Sequence, residues 1–122
     1  MNRKILIVED QEDNRKILRD LLSSAGFEII EAVTGEEGVV QAEMHLPDLI
    51  LMDIQLPGMD GYEATRRIKA TPGLTKIPII AVTSYALSGD DVKAMAAGCD
   101  AYVTKPFSPR ALLVKIREFL PD

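Results

Sequence analysis

Cysteine is nearly absent from this sequence, since Cys99 is the single one among 122 residues. An internal disulfide is therefore impossible, and nothing calls for an oxidising compartment, so a cytoplasmic location is the simplest expectation. Long apolar runs are missing as well. The first strongly apolar stretch, residues 5–8, is far shorter than the ~20 residues that span a bilayer. We therefore expect no membrane anchor and no signal peptide.

An excess of positive charge is also missing, because 19 acidic residues against 14 basic ones give a formal net charge of −5. A phosphate backbone or an anionic membrane would repel such a chain, so neither is an expected partner. No Walker loop and no G-x-G-x-x-G pattern occurs. The remaining features are ordinary: 47% of the residues are hydrophobic, which is enough for one core, and we expect one domain over residues 1–122.

Short apolar runs alternate with amphipathic helical patterns along the chain. Most of the apolar runs lack the polar alternation of a half-exposed strand, which indicates a parallel sheet covered on both faces. The predicted strands are 4–9, 27–32, 49–53, 79–83 and 101–104, and the predicted helices are 12–25, 35–46, 60–71, 89–97 and 109–120. This order predicts an α/β fold with an open, doubly wound sheet and a ligand crevice at the carboxyl ends of the strands.

Four predicted helices begin with recognisable signals. Three have an N-cap residue with an acidic residue three positions later, and the fourth has a serine followed by proline. These pairs are Thr34 with Glu37, Asp60 with Glu63, Ser88 with Asp91, and Ser108 with Pro109. The last helix has an apolar stripe that should pack on the sheet, formed by Leu112, Leu113, Ile116, Phe119 and Leu120.

Polar side chains stand where the predicted strands end: Glu9 and Asp10, Asp53, Thr83 and Lys105. Parallel strands bring these positions to one edge of the sheet. Two carboxylates ~4 Å apart repel by roughly 4 kcal/mol at an effective dielectric constant near 20, so the cluster needs a cation. An oxygen-only ligand set favours Mg²⁺, with Mn²⁺ as the alternative, and disfavours zinc.

Asp53 is the best placed of the three carboxylates to act as a nucleophile. A carboxylate can attack phosphorus and form an aspartyl phosphate. Lys105 offers a positive charge and Thr83 a hydroxyl donor to the phosphoryl oxygens, so the predicted site has the parts for electrostatic stabilisation. The bland alternative for Asp53, a buried salt-bridged aspartate, would leave the other strand-end groups unexplained.

Four motifs carry a resemblance to a known family. They are residues 6–10 (LIVED), 51–61 (LMDIQLPGMDG), 81–83 (AVT) and 101–107 (AYVTKPF). Jointly and in this order they resemble the receiver domain of two-component response regulators, most of all the stand-alone regulators of the cell-cycle type. The resemblance implies a flavodoxin-like (βα)5 sandwich with the sheet order 2-1-3-4-5, and a cis bond between Lys105 and Pro106.

The resemblance also implies roles for the strand-end residues. Asp53 would take a phosphoryl group from a phosphohistidine of a sensor histidine kinase or a phosphotransfer protein. Glu9, Asp10, Asp53 and the backbone carbonyl of Gln55 would surround Mg²⁺. The protein would then be a signalling protein in a phosphorelay rather than an enzyme, with Mg²⁺-dependent self-phosphorylation and autodephosphorylation as its only chemistry.

Phosphorylation would act as a switch. Similar receivers move the residue matching Thr83 inward, and the aromatic matching Tyr102 turns into the vacated space, which changes the face of the fourth helix, fifth strand and fifth helix. Gln55 and Tyr85 flank the site, and we predict that they tune the lifetime of the aspartyl phosphate. The output would be binding of a downstream protein or relay of phosphate by a monomer, because no output domain follows within the sequence.

The first helix would dock the kinase or phosphotransfer partner in this family. The candidate residues are Gln11, Asn14, Arg15 and Leu18. We expect Cys99, by contrast, to be a small packing residue.

Three other functions fit parts of the pattern. A flavodoxin-like cofactor binder would share the fold, but Glu9 and Asp10 would repel a phosphate. An aspartyl phosphatase would need a second acid two residues after Asp53, where Gln55 stands. A receiver that binds partners without phosphorylation would not need its acidic set. The sequence could also be a piece of a hybrid kinase.

Overall fold

The computed structural model describes residues 3–83 and 90–121 and contains one five-stranded parallel sheet flanked by helices. The strands are β1 (Lys4–Val8), β2 (Glu28–Ala32), β3 (Leu49–Asp53), β4 (Ile79–Thr83) and β5 (Ala101–Thr104). The helices are α1 (Glu12–Ser24), α2 (Gly35–His45), α3 (Gly61–Ala70), α4 (Asp90–Ala97) and α5 (Pro109–Phe119). The sheet order β2-β1-β3-β4-β5 confirms the predicted fold class.

Two hydrophobic layers cover the two faces of the sheet, because successive strand residues point to opposite sides. One face carries Leu6 and Met52 and packs against α2, α3 and α4. The other carries Ile7 and Leu51 and packs against α1 and α5. All five residues of β3 and of β4 are buried, which explains why these strands show no polar alternation in the sequence. Of the predicted stripe on α5, Leu112 and Ile116 are fully buried.

The predicted helix caps form where the structure describes them. The Thr34 hydroxyl accepts a hydrogen bond from the amide of Glu37 at 3.0 Å, and the Asp60 carboxylate accepts one from Glu63 at 2.9 Å. The Ser108 hydroxyl accepts from the third residue beyond it at 3.3 Å. Ser88 and the side chain of Asp91 lie outside the described part of the structure, so the cap predicted for this pair stays a prediction.

Two strand boundaries differ by one residue from the prediction. β1 ends at Val8, although the amide of Glu9 still donates to the carbonyl oxygen of Ala32 at 3.0 Å. β2 begins at Glu28, because the amide of Phe27 donates at 3.1 Å to Leu22 and so completes the end of α1. Both residues therefore belong to turns that join the strands to their helices.

Two aspartates fasten the amino ends of the strands. The amide of Asp48 donates to the carbonyl of Lys4 at 2.8 Å, and its carboxylate accepts from the amide of Lys4 at 2.7 Å. Asp100 makes the same double contact with Ile79, at 2.8 Å in each direction. Asp100 also accepts a hydrogen bond from the Lys69 ammonium at 3.1 Å. Each aspartate thereby joins two neighbouring strands where they begin.

Within the residues described, none of the helices combines the length and the apolar character needed to span a bilayer.

Candidate functional site

Three carboxylates meet at the opposite edge of the sheet. Glu9 and Asp10 follow β1 directly, and Asp53 is the last residue of β3, the neighbour of β1 in the sheet. One carboxylate oxygen from each of the three lies within 4.8 Å of the others. The alternation of strands and helices thus brings together acids that are more than 40 positions apart in the sequence.

The cluster is set into the protein rather than on its surface. Glu9 is 2% exposed and Asp53 4% exposed, while Asp10 is half-buried. Lys105, which follows β5, provides the opposing charge: its ammonium lies 2.9 Å from Glu9 Oε1 and 3.6 Å from Asp53 Oδ2. Three carboxylates and one ammonium leave two negative charges in excess.

Burial and the neighbouring carboxylates affect the pKa of Lys105. Burial is the largest single influence and lowers the pKa, but the hydrogen bond to Glu9 and the charges of Asp53 and Glu9 together outweigh it. The pKa of Lys105 is therefore raised above its ordinary value, and the side chain is a fixed cation at neutral pH.

Backbone amides hold two of the carboxylates in place. The amide of Gln11 donates to Glu9 Oε2 at 3.0 Å, and the amide of Gln55 donates to Asp53 Oδ1 at 3.1 Å. In each case the acid bonds to the amide two residues further on, which is the local pattern that turns favour. Each acid therefore has one oxygen engaged by the backbone and the other near Lys105.

The start of α3 lies directly against the end of β3. A Cβ atom at Gly61 would lie 2.3 Å from the carbonyl oxygen of Asp53, so only glycine fits at this position. The amide of Gly61 donates to the carbonyl of Ile54 at 3.1 Å. This close approach fixes the path of the chain just after Asp53.

The donor set fits a hard divalent cation such as Mg²⁺. All three side chains offer oxygen atoms, the oxygens are already gathered, and the excess of two negative charges matches the charge of the ion. No nitrogen or sulfur ligand belongs to this group, which disfavours zinc.

The other predicted site residues lie around this cluster. Thr83 is the last residue of β4, next to β3, and is fully buried, and its carbonyl accepts from the amide of Lys105 at 2.7 Å. Gln55, whose backbone amide bonds to Asp53, is exposed. Tyr102 on β5 is 38% exposed, and the bond between Lys105 and Pro106 is cis, as expected. Tyr85 lies outside the described residues.

A mostly apolar cavity of about 360 Å³ adjoins the cluster between α1 and the segment after β5. Its lining includes Asn14, Ile17 and Leu18 from α1, and Pro106, Phe107 and Pro109 from the other side. Two of the four predicted docking residues turn inward, because Leu18 is 3% exposed and the Arg15 side chain 11% exposed. Gln11 is exposed and Asn14 half-exposed, whereas Ile17, which the sequence did not single out, is 56% exposed.

Arg15 takes a place that its pattern did not reveal. Its guanidinium donates to the backbone carbonyl oxygens of Glu9 at 2.9 Å and of Asp10 at 3.2 Å. The sequence contained one signal for this contact. A cation near the start of a helix is repelled by the positive end of the helix dipole, so Arg15 needs a compensating partner. That partner is the acidic loop.

Comparison with known proteins identifies the family. The family model described as the response regulator receiver domain matches residues 5–117. A curated relative, the polar-differentiation response regulator DivK of Brucella ovis, is 43% identical over 122 residues, covering 100% of this chain and 99% of that protein. DivK of Brucella anthropi matches to the same extent.

Solved structures agree with this assignment. A response regulator from Chloroflexus aurantiacus superposes with a TM-score of 0.95 at 31% identity, over 100% of both chains. The receiver domain of the sensor histidine kinase PA1611 from Pseudomonas aeruginosa, with a magnesium ion coordinated in its active site cleft, gives 0.94 at 36% identity, again over 100% of both. Chemotaxis protein CheY4 of Vibrio cholerae gives 0.92 at 26% identity, covering 98% of this chain and 99% of that one. The chain therefore belongs to the response regulator receiver domain family.

Proposed function

We propose that Asp53 is the phosphoryl acceptor of this receiver and that its donor is a phosphohistidine on a sensor histidine kinase or a phosphotransfer protein. The supporting observation is the shared lysine: three gathered carboxylates have one ammonium among them, and Asp53 belongs to the group while being only 4% exposed. A purely structural aspartate would be neutralised by its partners, whereas this cluster keeps a charge that favours a cation.

Asp53 acts as the nucleophile in the proposed transfer. An oxygen of its carboxylate forms a bond to phosphorus as the bond between phosphorus and the imidazole nitrogen breaks, and the electron pair of that bond returns to the imidazole. Lys105 remains beside the reacting group and pairs with the phosphoryl oxygens. Water later attacks the phosphorus, the bond between phosphorus and the Asp53 oxygen breaks, and inorganic phosphate leaves as the free carboxylate is restored.

Glu9, Asp10, Asp53 and the backbone carbonyl of Gln55 are the residues that would hold Mg²⁺, and Mn²⁺ has the same ligand preferences. The bound ion would offset negative charge on the transferred group. Lys105 and the amide of Gln55 already constrain Asp53 from two sides, which limits the directions from which a donor can approach.

Thr83 and Tyr102 are the proposed switch residues. The new charge on Asp53 attracts the Thr83 hydroxyl, which lies at the end of the adjacent strand, and Tyr102 is free to turn inward because it is exposed. The surface formed by α4, β5 and α5 then changes for a downstream protein partner. Gln55 and Tyr85 are proposed to govern access of water, so substitutions at either should change the dephosphorylation rate.

The proposed partner contacts the first helix beside Asp53. Asn14 and the exposed Ile17 line the apolar cavity there, and Gln11 is exposed at the start of the same helix region, so a helix that carries a histidine could seat its apolar side next to the acceptor. We propose a cytoplasmic monomer that binds proteins and not nucleic acid, in keeping with the net charge of −5.

Labelling by a small acyl phosphate tests this proposal. With Mg²⁺ and acetyl phosphate, the intact mass of the wild type should rise by one phosphoryl group, and Asp53→Asn should show no increase. Asp48→Asn is the matched control, because this carboxylate lies at the other end of β3 and should leave labelling intact. Absence of labelling in both proteins would favour an interaction module that works without phosphorylation, and equal labelling of Asp53→Asn would show that another residue is the acceptor.

A further inference from the structure

We infer that Arg15 is a positioning residue that holds the acidic loop after β1 in the geometry that receives a divalent cation. This inference rests on the proposed function, because it concerns the same metal site. Among the hydrogen bonds and ion pairs of the described residues, those of Arg15 reach no carboxylate of the cluster; it acts through the backbone that carries Glu9 and Asp10.

The contacts of Arg15 are those of a clamp. One nitrogen, Nη1, donates to two successive carbonyl oxygens, at 2.9 Å to Glu9 and 3.2 Å to Asp10. Both carbonyls belong to residues whose side chains point into the cluster. The amide of Gln11 completes the loop by donating to Glu9 Oε2 at 3.0 Å. The guanidinium thus fixes the peptide units from which two of the three carboxylates extend.

The Arg15 guanidinium is held in place by two acidic partners. Arg15 Nε lies 3.4 Å from Glu31 Oε1 on β2, and Arg15 Nη2 bonds to Glu12. The Arg15 side chain is 11% exposed, so these partners hold it in one place. A rigid planar fork carries donors on three separate nitrogens and can bond to the loop and to Glu31 at once, whereas the donors of a lysine all extend from one nitrogen. Groups that orient metal ligands from outside the ligand set typically influence metal affinity strongly.

Arg19 provides an internal comparison. It lies one turn after Arg15 on the same helix and donates to both oxygens of the same Glu31, at 2.9 and 3.0 Å. No contact joins its side chain to the loop of Glu9 and Asp10 among the hydrogen bonds of the described chain. The two arginines share charge, helix and acidic partner, and they differ in the contact to the acidic loop.

Charge and positioning predict opposite effects of removing Arg15. As a cation near an acidic site, Arg15 would repel Mg²⁺, so its removal would tighten metal binding. As a clamp, its removal lets the loop move, and metal binding should weaken. The sign of the change in Mg²⁺ affinity therefore distinguishes the two roles.

Titration of the full chain with Mg²⁺, followed by amide chemical shifts, measures this affinity without any phosphorylation and shows in the same spectra that the variant is folded. Arg15→Met should weaken Mg²⁺ binding about tenfold. Arg19→Met should stay within about twofold of the wild type. In metal-free buffer, the backbone amide proton of Gln11 should exchange with solvent faster in Arg15→Met than in Arg19→Met, because its acceptor Glu9 is no longer held.

Arg15→Lys keeps the charge and serves if Arg15→Met does not fold. Its one nitrogen cannot bond to the two carbonyls and to Glu31 and Glu12 at the same time, so the loop is held less firmly and we expect about threefold weaker binding than in the wild type. Unchanged or tighter binding in Arg15→Met, wild-type affinity in Arg15→Lys, or equal losses in Arg15→Met and Arg19→Met would overturn the inference. A wild type that binds no Mg²⁺ would overturn it together with the metal site. A wild type that binds Mg²⁺ but takes no phosphoryl group would contradict only the proposed role of Asp53. The role of Arg15 would still be tested by the Mg²⁺ affinities of its variants.

Discussion

The acidic side chains at the two ends of the sheet differ in how far the fold compensates their negative charge. At the amino ends of the strands, Asp48 and Asp100 each exchange two hydrogen bonds with a neighbouring strand, and Asp100 also meets Lys69. At the carboxyl ends, three carboxylates gather around Lys105, the one ammonium that reaches them in the described part of the chain. The acids at one end are satisfied by the fold, and those at the other end are left with negative charge to spare.

This difference separates structural acids from functional ones. Asp48 and Asp100 are exposed, and each carboxylate accepts one backbone amide hydrogen bond, so solvent and the fold together satisfy their charge. A cluster with an excess of charge is a cost to the folded protein unless a ligand removes it. The charge balance and the burial of Glu9 and Asp53 together distinguish the end of the sheet that is suited to bind a cation.

Removal of Lys105 should have the largest effect on stability. Lys105→Met leaves Glu9 and Asp53 buried without their cation, and we expect the free energy of unfolding in metal-free buffer to fall by about 3 kcal/mol. Saturating Mg²⁺ should restore part of the loss, because the ion can replace the missing charge. Urea unfolding with EDTA and with Mg²⁺ measures both effects.

Lys69→Met is the matched control for Lys105→Met. Lys69 is similarly buried, with 18% of its side chain exposed against 20% for Lys105, and it bonds to Asp100 and two backbone carbonyls. Its removal should lower stability equally in EDTA and in Mg²⁺. Recovery of Lys69→Met by Mg²⁺ would contradict the distinction between the two ends.

Removal of a satisfied acid should have a smaller effect of the same sign. Asp100→Ala leaves the amide of Ile79 without its side-chain acceptor and removes the carboxylate partner of Lys69, which should lower the free energy of unfolding by about 2 kcal/mol. Asp48→Ala removes the corresponding contact from Lys4 and should behave alike. Phosphorylation by acetyl phosphate should persist in both. A gain in stability for either variant would show that these acids, too, are unsatisfied.

The smallest effect concerns Cys99, a buried uncharged group near Asp100. Burial raises the pKa of its thiol; the hydrogen bond with Thr65 opposes this and the charge of Asp100 adds to it, while Lys69 slightly lowers the pKa. The folded state therefore retains the thiol proton at a pH where the unfolded chain, with a pKa of about 8.5, has released it. Stability is fully present below that value and declines above it.

Comparison with Cys99→Ala isolates this pH dependence. The difference in stability between wild type and Cys99→Ala should shrink by up to about 1 kcal/mol between pH 8 and about pH 9.5. Urea unfolding in the presence of a reductant across this range measures the difference. A pH-independent difference would mean that the thiol titrates alike in the folded and unfolded states.

Most of the fold was predictable because local chemistry and topology agree. The buried runs of β3 and β4 lack alternation, and the caps at Thr34, Asp60 and Ser108 mark helix starts, so element order and strand direction followed directly. The predicted end of β1 and the predicted start of β2 each differ from the structure by one residue. Whether Glu9 ends a strand or starts a loop depends on a hydrogen bond to Ala32, which lies far away in the sequence.

The candidate site was predictable as a set of residues but not as a geometry. Strand ends place Glu9, Asp53 and Lys105 together, because parallel strands share an edge. The side chains of Arg15 and Leu18 are mostly buried because of the rotation of α1 about its own axis against the sheet. The pattern of the four predicted docking residues did not determine that rotation. The closeness of Gly61 to Asp53 likewise emerges only in three dimensions.

The stability of Asp53→Asn tests most directly whether the carboxyl end carries unsatisfied charge. In EDTA, loss of one of three crowded carboxylates should raise the free energy of unfolding by about 1 to 2 kcal/mol, since two repulsions outweigh one attraction to Lys105. Mg²⁺ should stabilise the wild type by mass action and stabilise Asp53→Asn much less. A variant that is less stable than the wild type in EDTA, or equally stabilised by Mg²⁺, would contradict the account.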